Sequence, residues 1–146
     1  MPITTTVKNK VLNMLVGKDS DYPNVFVGLS STKPDSAGGN ISEPPAGTGY
    51  GRVLIGSNNA SASQKFSSPS GGRVANDEYI YFPESSDAWG DPLTHFFLTT
   101  SEMGSGTIIG YGELTADGVS SPVLVNAPKT VVMFRPGTLV ITIQDD

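Results

Sequence analysis

Apolar and polar residues alternate with a period of two along several short stretches of the chain. The clearest case is Thr138–Gln144, where Leu139, Ile141 and Ile143 fall on one side and the intervening residues on the other. Such alternation is typical of a strand that buries one face of a sheet. Similar runs predict strands at Val25–Leu29, Arg52–Ile55, Val74–Phe82, Thr94–Thr100 and Thr107–Leu114, with shorter ones at Gln64–Ser67, Val123–Val125 and Val131–Phe134.

The same alternation predicts which side chains form the core. On Thr94–Thr100, Phe96 and Leu98 share one face, and His95 and Phe97 share the other. The residues expected in the core are Ile80, Phe82, Phe96, Leu98, Ile141 and Ile143.

One segment near the N-terminus has a helical period instead. Its apolar residues recur at i, i+4, i+7 and i+8 and form one stripe: Val7, Val11, Met14 and Leu15. The pattern predicts a short helix over residues 5–16, with Thr5 or Thr6 as N-cap and Gly17 as a left-handed C-cap. A helix of this length is marginal alone, so we expect it to dock on another surface.

Residues 30–49 form a predicted loop of unusual length. The segment contains Pro34, Pro44 and Pro45 together with several glycines, and it ends at Tyr50. Loops of about twenty residues are uncommon in compact domains. We therefore expect this loop to be functional or to be ordered by a neighbouring chain.

Composition supports one β-rich domain. The chain has 146 residues, of which 17 are Gly and 11 are Pro, and only 16% are charged. Together with the strand pattern, this predicts an all-β fold over residues 1–146: an antiparallel β-sandwich or jelly-roll-like domain of about eight strands with one short N-terminal helix. The sequence has neither an internal repeat nor coiled-coil heptads, so it does not encode a long fibrous shaft.

Charge and cysteine content exclude several classes of partner and chemistry. The formal net charge is −5, and the nine basic residues are scattered, so nucleic acid is not expected as a partner. The sequence lacks a run of 18 apolar residues, so a membrane span is not expected. The absence of cysteine removes disulfides, thiolate catalysis and cysteine-bound zinc.

Enzymatic motifs are also missing, and we expect no catalysis, cofactor or bound metal. Gly17-Lys18 does not complete a phosphate loop, and no G-x-S-x-G elbow occurs. A Ser-His-Asp hydrolase would have to use the single histidine, His95, with Asp87 or Asp91 as its partner. A packed or half-exposed strand histidine is the simpler interpretation.

Aromatic residues leave one binding function open. Trp89 and four tyrosines could form a surface for a glycan or a partner, or they could pack in the core and at its rim. The tyrosines are Tyr50, Tyr79, Tyr81 and Tyr111.

Several motifs, in a fixed order, resemble a known family. They are Asn24–Ser30 with Pro34, Glu43-Pro44, Gly47–Val53, Ile80–Pro83, Trp89-Gly90, Leu93–Phe96, Ile109–Leu114 and Pro136–Thr142. This order is similar to that of small structural proteins of tailed-bacteriophage virions, commonly labelled tail fibre or minor structural proteins. The resemblance covers the chain from about Val7 to Ile143.

The resemblance implies a non-enzymatic subunit of the virion, associated with the tail or the neck and collar, that assembles with its own copies and with other virion proteins. A trimer or a ring is the expected arrangement. A baseplate part, a capsid decoration protein and a host-surface glycan-binding module remain alternatives. A cysteine-free chain also suits assembly in the reducing cytoplasm of a bacterial host. The candidate contact residues are Val7, Val11, Met14, Leu15, Pro34, Pro44, Pro45 and Tyr50.

Overall fold

A computed structural model describes residues 3–19, 21–58, 64–104, 106–116 and 118–143. Within these residues one helix and ten strands occur: α1 Thr5–Leu15, β1 Asn24–Ser30, β2 Val53–Ser57, β3 Arg73–Ala75, β4 Ile80–Tyr81, β5 His95–Thr99, β6 Ile108–Glu113, β7 Thr115–Ala116, β8 Val119–Ser120, β9 Met133–Phe134 and β10 Val140–Thr142. The predicted all-β class with one short helix is confirmed. Gln144, at the end of the predicted last strand, lies outside the described residues.

The strands form one larger sheet and three two-stranded ladders. The larger sheet has the order β2-β1-β5-β6, and the ladders pair β10 with β3, β4 with β9 and β7 with β8. The β1–β5, β5–β6, β3–β10 and β7–β8 pairings are antiparallel. No helix within the described residues has the length and hydropathy that a membrane span needs.

The chain divides into two compact units. The first comprises residues 1–25, 54–80 and 133–146, and the second comprises residues 26–53 and 81–132. The first unit contains α1 and the β3–β10 ladder. The second contains β5, β6 and the predicted long loop. That residues 1–146 act as one domain stays a prediction.

Helix α1 begins and ends with recognisable caps. Thr4, and not Thr5 or Thr6, is the N-cap: its Oγ1 accepts a hydrogen bond of 3.4 Å from the Val7 N–H. At the other end Gly17 has φ +80° and donates to the Met14 carbonyl, while the Lys18 N–H reaches the carbonyl of residue 13. This pair of bonds is a Schellman motif, as the predicted glycine cap requires.

The predicted strand Val74–Phe82 is interrupted at Asn76. Asn76 is buried, and its side-chain amide donates to the carbonyls of Glu78 and Arg135 at 2.9 and 3.0 Å. Its Oδ1 accepts from the Leu139 N–H at 2.9 Å. The side chain thus bonds to three backbone groups. These bonds hold the chain in a turn at Asn76, between β3 and β4. The prediction of one continuous strand was wrong because a buried polar side chain organises this turn.

The two faces of β5 differ from the sequence prediction. Phe97, expected opposite the core, is fully buried, whereas Phe96 is only half-buried; Ile141 and Ile143 are half-buried as well. Ile80, Phe82 and Leu98 are buried as predicted. Strand β1, between β2 and β5, buries four successive residues from Val27 to Ser30. Apolar and polar residues do not alternate along a strand that is buried on both faces. The sequence pattern of such a strand therefore cannot show which face lies in the core.

Two glycines lie opposite the two phenylalanines. Gly28 pairs with Phe97, and Gly112 pairs with Phe96 across the neighbouring ladder. A Cβ built on Gly28 would collide with the end of the Phe97 ring, and one on Gly112 would lie 2.6 Å from the Phe96 ring. The rings therefore lie across the strands in the space that these glycines leave.

We predict that Gly28→Ala destabilises the protein by about 1–3 kcal/mol, because the Phe97 ring is fully buried and cannot move aside. The matched control is Gly110→Ala on β6, where an added Cβ meets no atom of the described chain within 4 Å. This change should leave stability unchanged or raise it by up to about 1 kcal/mol. Urea unfolding checks both, and equal midpoints for the two variants would contradict the packing described here.

Candidate assembly groove and helix face

An ion pair joins the long loop to the strand that follows it. Arg52 donates from Nε to Glu43 Oε1 at 2.9 Å and from Nη2 to Glu43 Oε2 at 3.0 Å, a two-pronged contact. The Arg52 side chain is 6% exposed and that of Glu43 26% exposed. Such paired, charge-assisted bonds are stronger and more directional than a single contact.

The guanidinium also holds a second loop. Its Nη1 donates to the Ser101 carbonyl at 2.9 Å, and Nη2 donates to the Gly104 carbonyl at 3.0 Å. Its carbon lies 5.2 Å from the centre of the Phe97 ring. Hydrogen bonding to Glu43 raises the pKa of Arg52, so the charge is held firmly in this partly buried position.

Tyr50 extends the network into the sheet. Its hydroxyl donates to Glu43 Oε1 at 2.7 Å and accepts from the Leu29 N–H at 3.1 Å. Burial, together with the neighbouring Glu43 carboxylate, raises the pKa of this phenol far above its ordinary value. The hydroxyl therefore acts as a fixed donor between loop and strand.

An aromatic cluster supports Tyr50 from behind. Its ring stacks on Phe82 with the centres 6.3 Å apart and meets the Trp89 ring edge-on at 5.4 Å. Trp89 is buried, and its indole N–H donates to the Thr48 carbonyl at 3.0 Å. Trp89 is therefore a core residue and cannot stack on a glycan at the surface.

Elsewhere in residues 30–49, side chains of the loop form hydrogen bonds to the backbone of the same loop. Ser30 Oγ accepts from the Ser42 N–H at 3.0 Å and from the Thr32 N–H at 3.2 Å. Asp35 Oδ1 accepts from the N–H groups of residues 37 and 39 at 2.9 and 2.7 Å. These bonds hold the loop within one chain. Of the two expectations for the loop, a functional role or order imposed by a neighbouring chain, they favour the first.

A groove of about 370 Å³ opens beside the ion pair. Its apolar lining residues are Pro44, Pro45, Ala46 and Met103, and the acidic residues Glu43 and Glu102 line it as well. Tyr50 and Arg52 also line it. A second cavity of about 370 Å³, lined by Gly38, Asn40 and Ile108 among others, is also lined by Glu43 and Arg52.

Three of the eight candidate contact residues meet at this groove. Pro44, Pro45 and Tyr50 line it, with Pro44 buried, Pro45 exposed and Tyr50 half-buried. Pro34 is buried and does not line the groove. Sequence reasoning missed Glu43, Arg52 and Met103, which complete the surface.

The other four candidates lie on helix α1, three of them away from its docked face. Leu12 and Val16 are fully buried, and Asn9 Oδ1 accepts from the Gly72 N–H at 3.2 Å. Val7 is 48% exposed, and Val11, Met14 and Leu15 are half-buried. At 100° per residue, Val7, Val11 and Met14 lie about 140°, 100° and 160° around the helix from Leu12, whereas Leu15 lies only about 60° from it. We call Val7, Val11 and Met14 the outer helix face.

His95 and Asp87, which were considered for catalysis, each contact a neighbouring residue in the sequence. His95 is half-buried, and its Nδ1 lies 2.8 Å from the Thr94 hydroxyl oxygen. Asp87 is exposed and accepts from the neighbouring Ala88 N–H at 2.8 Å. In the described part of the chain, no group of three or more His, Cys, Asp or Glu side chains could hold a metal ion.

We predict that Glu43→Gln lowers the free energy of unfolding by about 2 kcal/mol. The change keeps the side-chain shape but leaves the Arg52 charge, 6% exposed, without its counter-charge. Its two backbone carbonyl partners remain, which keeps the loss below the roughly 3–5 kcal/mol of a fully buried pair. Thermal or urea unfolding measures it, with Glu84→Gln, an exposed position, as a control expected within about 0.5 kcal/mol of wild type. Equal losses at both positions would argue against the ion pair's role.

Tyr50→Phe should change how stability depends on high pH. Because the pKa of the folded phenol is raised, its proton is retained while an unfolded tyrosine ionises near pH 10. The free energy of unfolding of the wild type therefore falls as pH rises above about 10. In the variant this fall should be less steep, by up to about 1.4 kcal/mol per pH unit. Urea unfolding curves of both proteins, measured from about pH 8 to above pH 10, test this. Identical slopes for the two proteins would contradict it.

The comparisons with known proteins identify a phage family. The sequence matches the family described as Podophage GP4 fiber I protein gp80 over residues 2–128, which is most of the chain. No curated protein matches it. The protein therefore belongs to this podophage fibre family, and its role is that of a structural protein of the phage virion.

Proposed function

We propose that the protein is a non-enzymatic subunit of the tail or neck-collar region that assembles with copies of itself and with neighbouring virion proteins. The outer helix face and the groove beside residues 30–49 are its contact surfaces. A trimer or a ring is the proposed arrangement, and assembly takes place in the cytoplasm of the bacterial host.

The observation that carries this proposal is that helix α1 has apolar residues both on its docked side and on its outer side. Leu12 and Val16 anchor one side in the protein, yet an apolar stripe remains on the opposite side, with Val7 48% exposed. A surface helix needs apolar residues only on its docked face. A second apolar stripe is typical of an interface.

The groove supports the same proposal through its rigidity. Its wall carries two consecutive prolines and is anchored by the bonds of Arg52 to Glu43 and Gly104. A surface that is ordered before binding loses little conformational entropy when a partner docks. This favours a groove prepared for protein contact.

A glycan-binding role has less support. Its strongest candidate, Trp89, is buried and its indole N–H is already bonded. Tyr79, Tyr81 and Tyr111 are 46%, 54% and 40% exposed, and none of the three lines the groove.

The proposal predicts that Val7→Glu blocks incorporation into particles without unfolding the protein. Val7 is the third helical residue, three positions after the Thr4 cap. A glutamate there completes a capping box and suits the helix dipole, so the fold should be unharmed. Burying its charge at an apolar contact should reduce incorporation about tenfold or more.

The matched control is Thr6→Glu, which adds the same charge at an exposed neighbouring position off the outer helix face. Particles grown with each variant are purified, and the copy number of the subunit is measured by mass spectrometry. Circular dichroism verifies folding. Normal incorporation of a folded Val7→Glu protein would overturn the proposed role of this face.

A further inference from the structure

We propose that the outer helix face of one copy docks in the groove of the next, with Lys10 of one copy beside Glu102 of the other. This inference rests on the proposed self-association and specifies which two surfaces meet. Because the two surfaces differ, the contact can repeat from copy to copy and close as a ring.

Charge distribution selects the helix as the occupant. Residues 1–18 contain Lys8, Lys10 and Lys18 but none of the 14 acidic residues of the chain. Residues 26–53 and 81–132, the unit that holds the groove, contain eight acidic residues and three basic ones. Glu43 and Arg52 are paired with each other, which leaves seven acidic residues and two basic ones. A basic segment therefore meets an acidic surface, which favours this pairing of faces over like-charged alternatives.

The positions of individual charges agree with this arrangement. Lys10 is exposed and lies one helical turn from both Val7 and Met14, so it flanks the outer helix face. Glu102 is exposed and lines the groove next to Met103, which is itself 78% exposed. When the apolar residues of the two surfaces meet, these two charges lie at the edge of the contact.

The groove suits helical side chains better than an added strand. Pro44 and Pro45 have no backbone N–H, so two consecutive residues of this wall cannot donate to an added strand, which disfavours strand addition here. A volume of about 370 Å³ accommodates a few side chains, and Val7, Val11 and Met14 span about 10 Å along two turns. The flexible Met103 side chain can adapt to them.

The test is a charge exchange in the full-length protein. Lys10→Glu and Glu102→Lys are made singly and together, and the self-association constant is measured by analytical ultracentrifugation over a range of protein concentrations. Each single variant places like charges together, and we expect association about tenfold weaker than in wild type. The double variant restores opposite charges and should associate within about threefold of wild type.

Lys33→Glu and Glu84→Lys are the controls, since both positions are exposed and neither lines the groove. They should associate like wild type. Circular dichroism establishes that each variant is folded; should Lys10→Glu not fold, Lys10→Gln takes its place, with an expected weakening of about threefold.

The outcomes separate this inference from the proposed function. If wild type associates and the single variants do so equally well, the protein self-assembles through other surfaces and this inference is wrong. If the double variant is no stronger than the single ones, Lys10 and Glu102 are not neighbours. A wild-type chain that stays monomeric at every concentration would overturn the proposed self-association as well.

Discussion

The contact between Glu43 and Arg52 organises the part of the molecule that we assign to assembly. Arg52 lies at the start of a strand, yet its side chain bonds to a carboxylate nine residues earlier and to two carbonyls about fifty residues later. This side chain thus ties the 30–49 loop to the 101–104 turn. The walls of the groove come from both segments, and the Arg52 guanidinium bonds to both of them.

Packing beneath this contact limits its freedom. The Phe97 ring occupies the space over Gly28, and Arg52 lies over the same ring. Tyr50 connects the carboxylate to the backbone of β1 and rests on Phe82 and Trp89. Charge, hydrogen bonds and ring contacts therefore fix the same few side chains, which is why we regard the groove as a preformed surface.

The sequence predicted those features that depend on local periodicity. The helix and the larger strands follow from apolar spacing, and the glycine C-cap follows from Gly17. The same reasoning placed Phe96 in the core and Phe97 outside it, because it assumed a sheet with one covered face. It also missed the break at Asn76, since the partners of that side chain come from a distant segment around Arg135 and Leu139.

For the candidate site, composition led to the loop that lines the groove but not to the chemistry of that loop. Pro44, Pro45 and Tyr50 stood out as loop and aromatic residues, and they do line one groove. Glu43 and Arg52 are ordinary charged residues in the sequence, and only the folded chain brings Ser101 and Gly104 to them. On the helix, spacing found the outer stripe but not Leu12, which is the residue that docks.

The central claim is that this loop, and with it the groove, is ordered within a single chain before any partner binds. Native-state amide hydrogen exchange on the monomer at low concentration tests it most directly. The N–H groups of Leu29, Gly39 and Ser42, which donate to Tyr50, Asp35 and Ser30, report on the loop. Our account predicts that they exchange at least about a hundredfold more slowly than in an unstructured peptide. Exchange at the rate of an unstructured peptide would mean that the loop is ordered only in the assembled particle, and it would contradict the account.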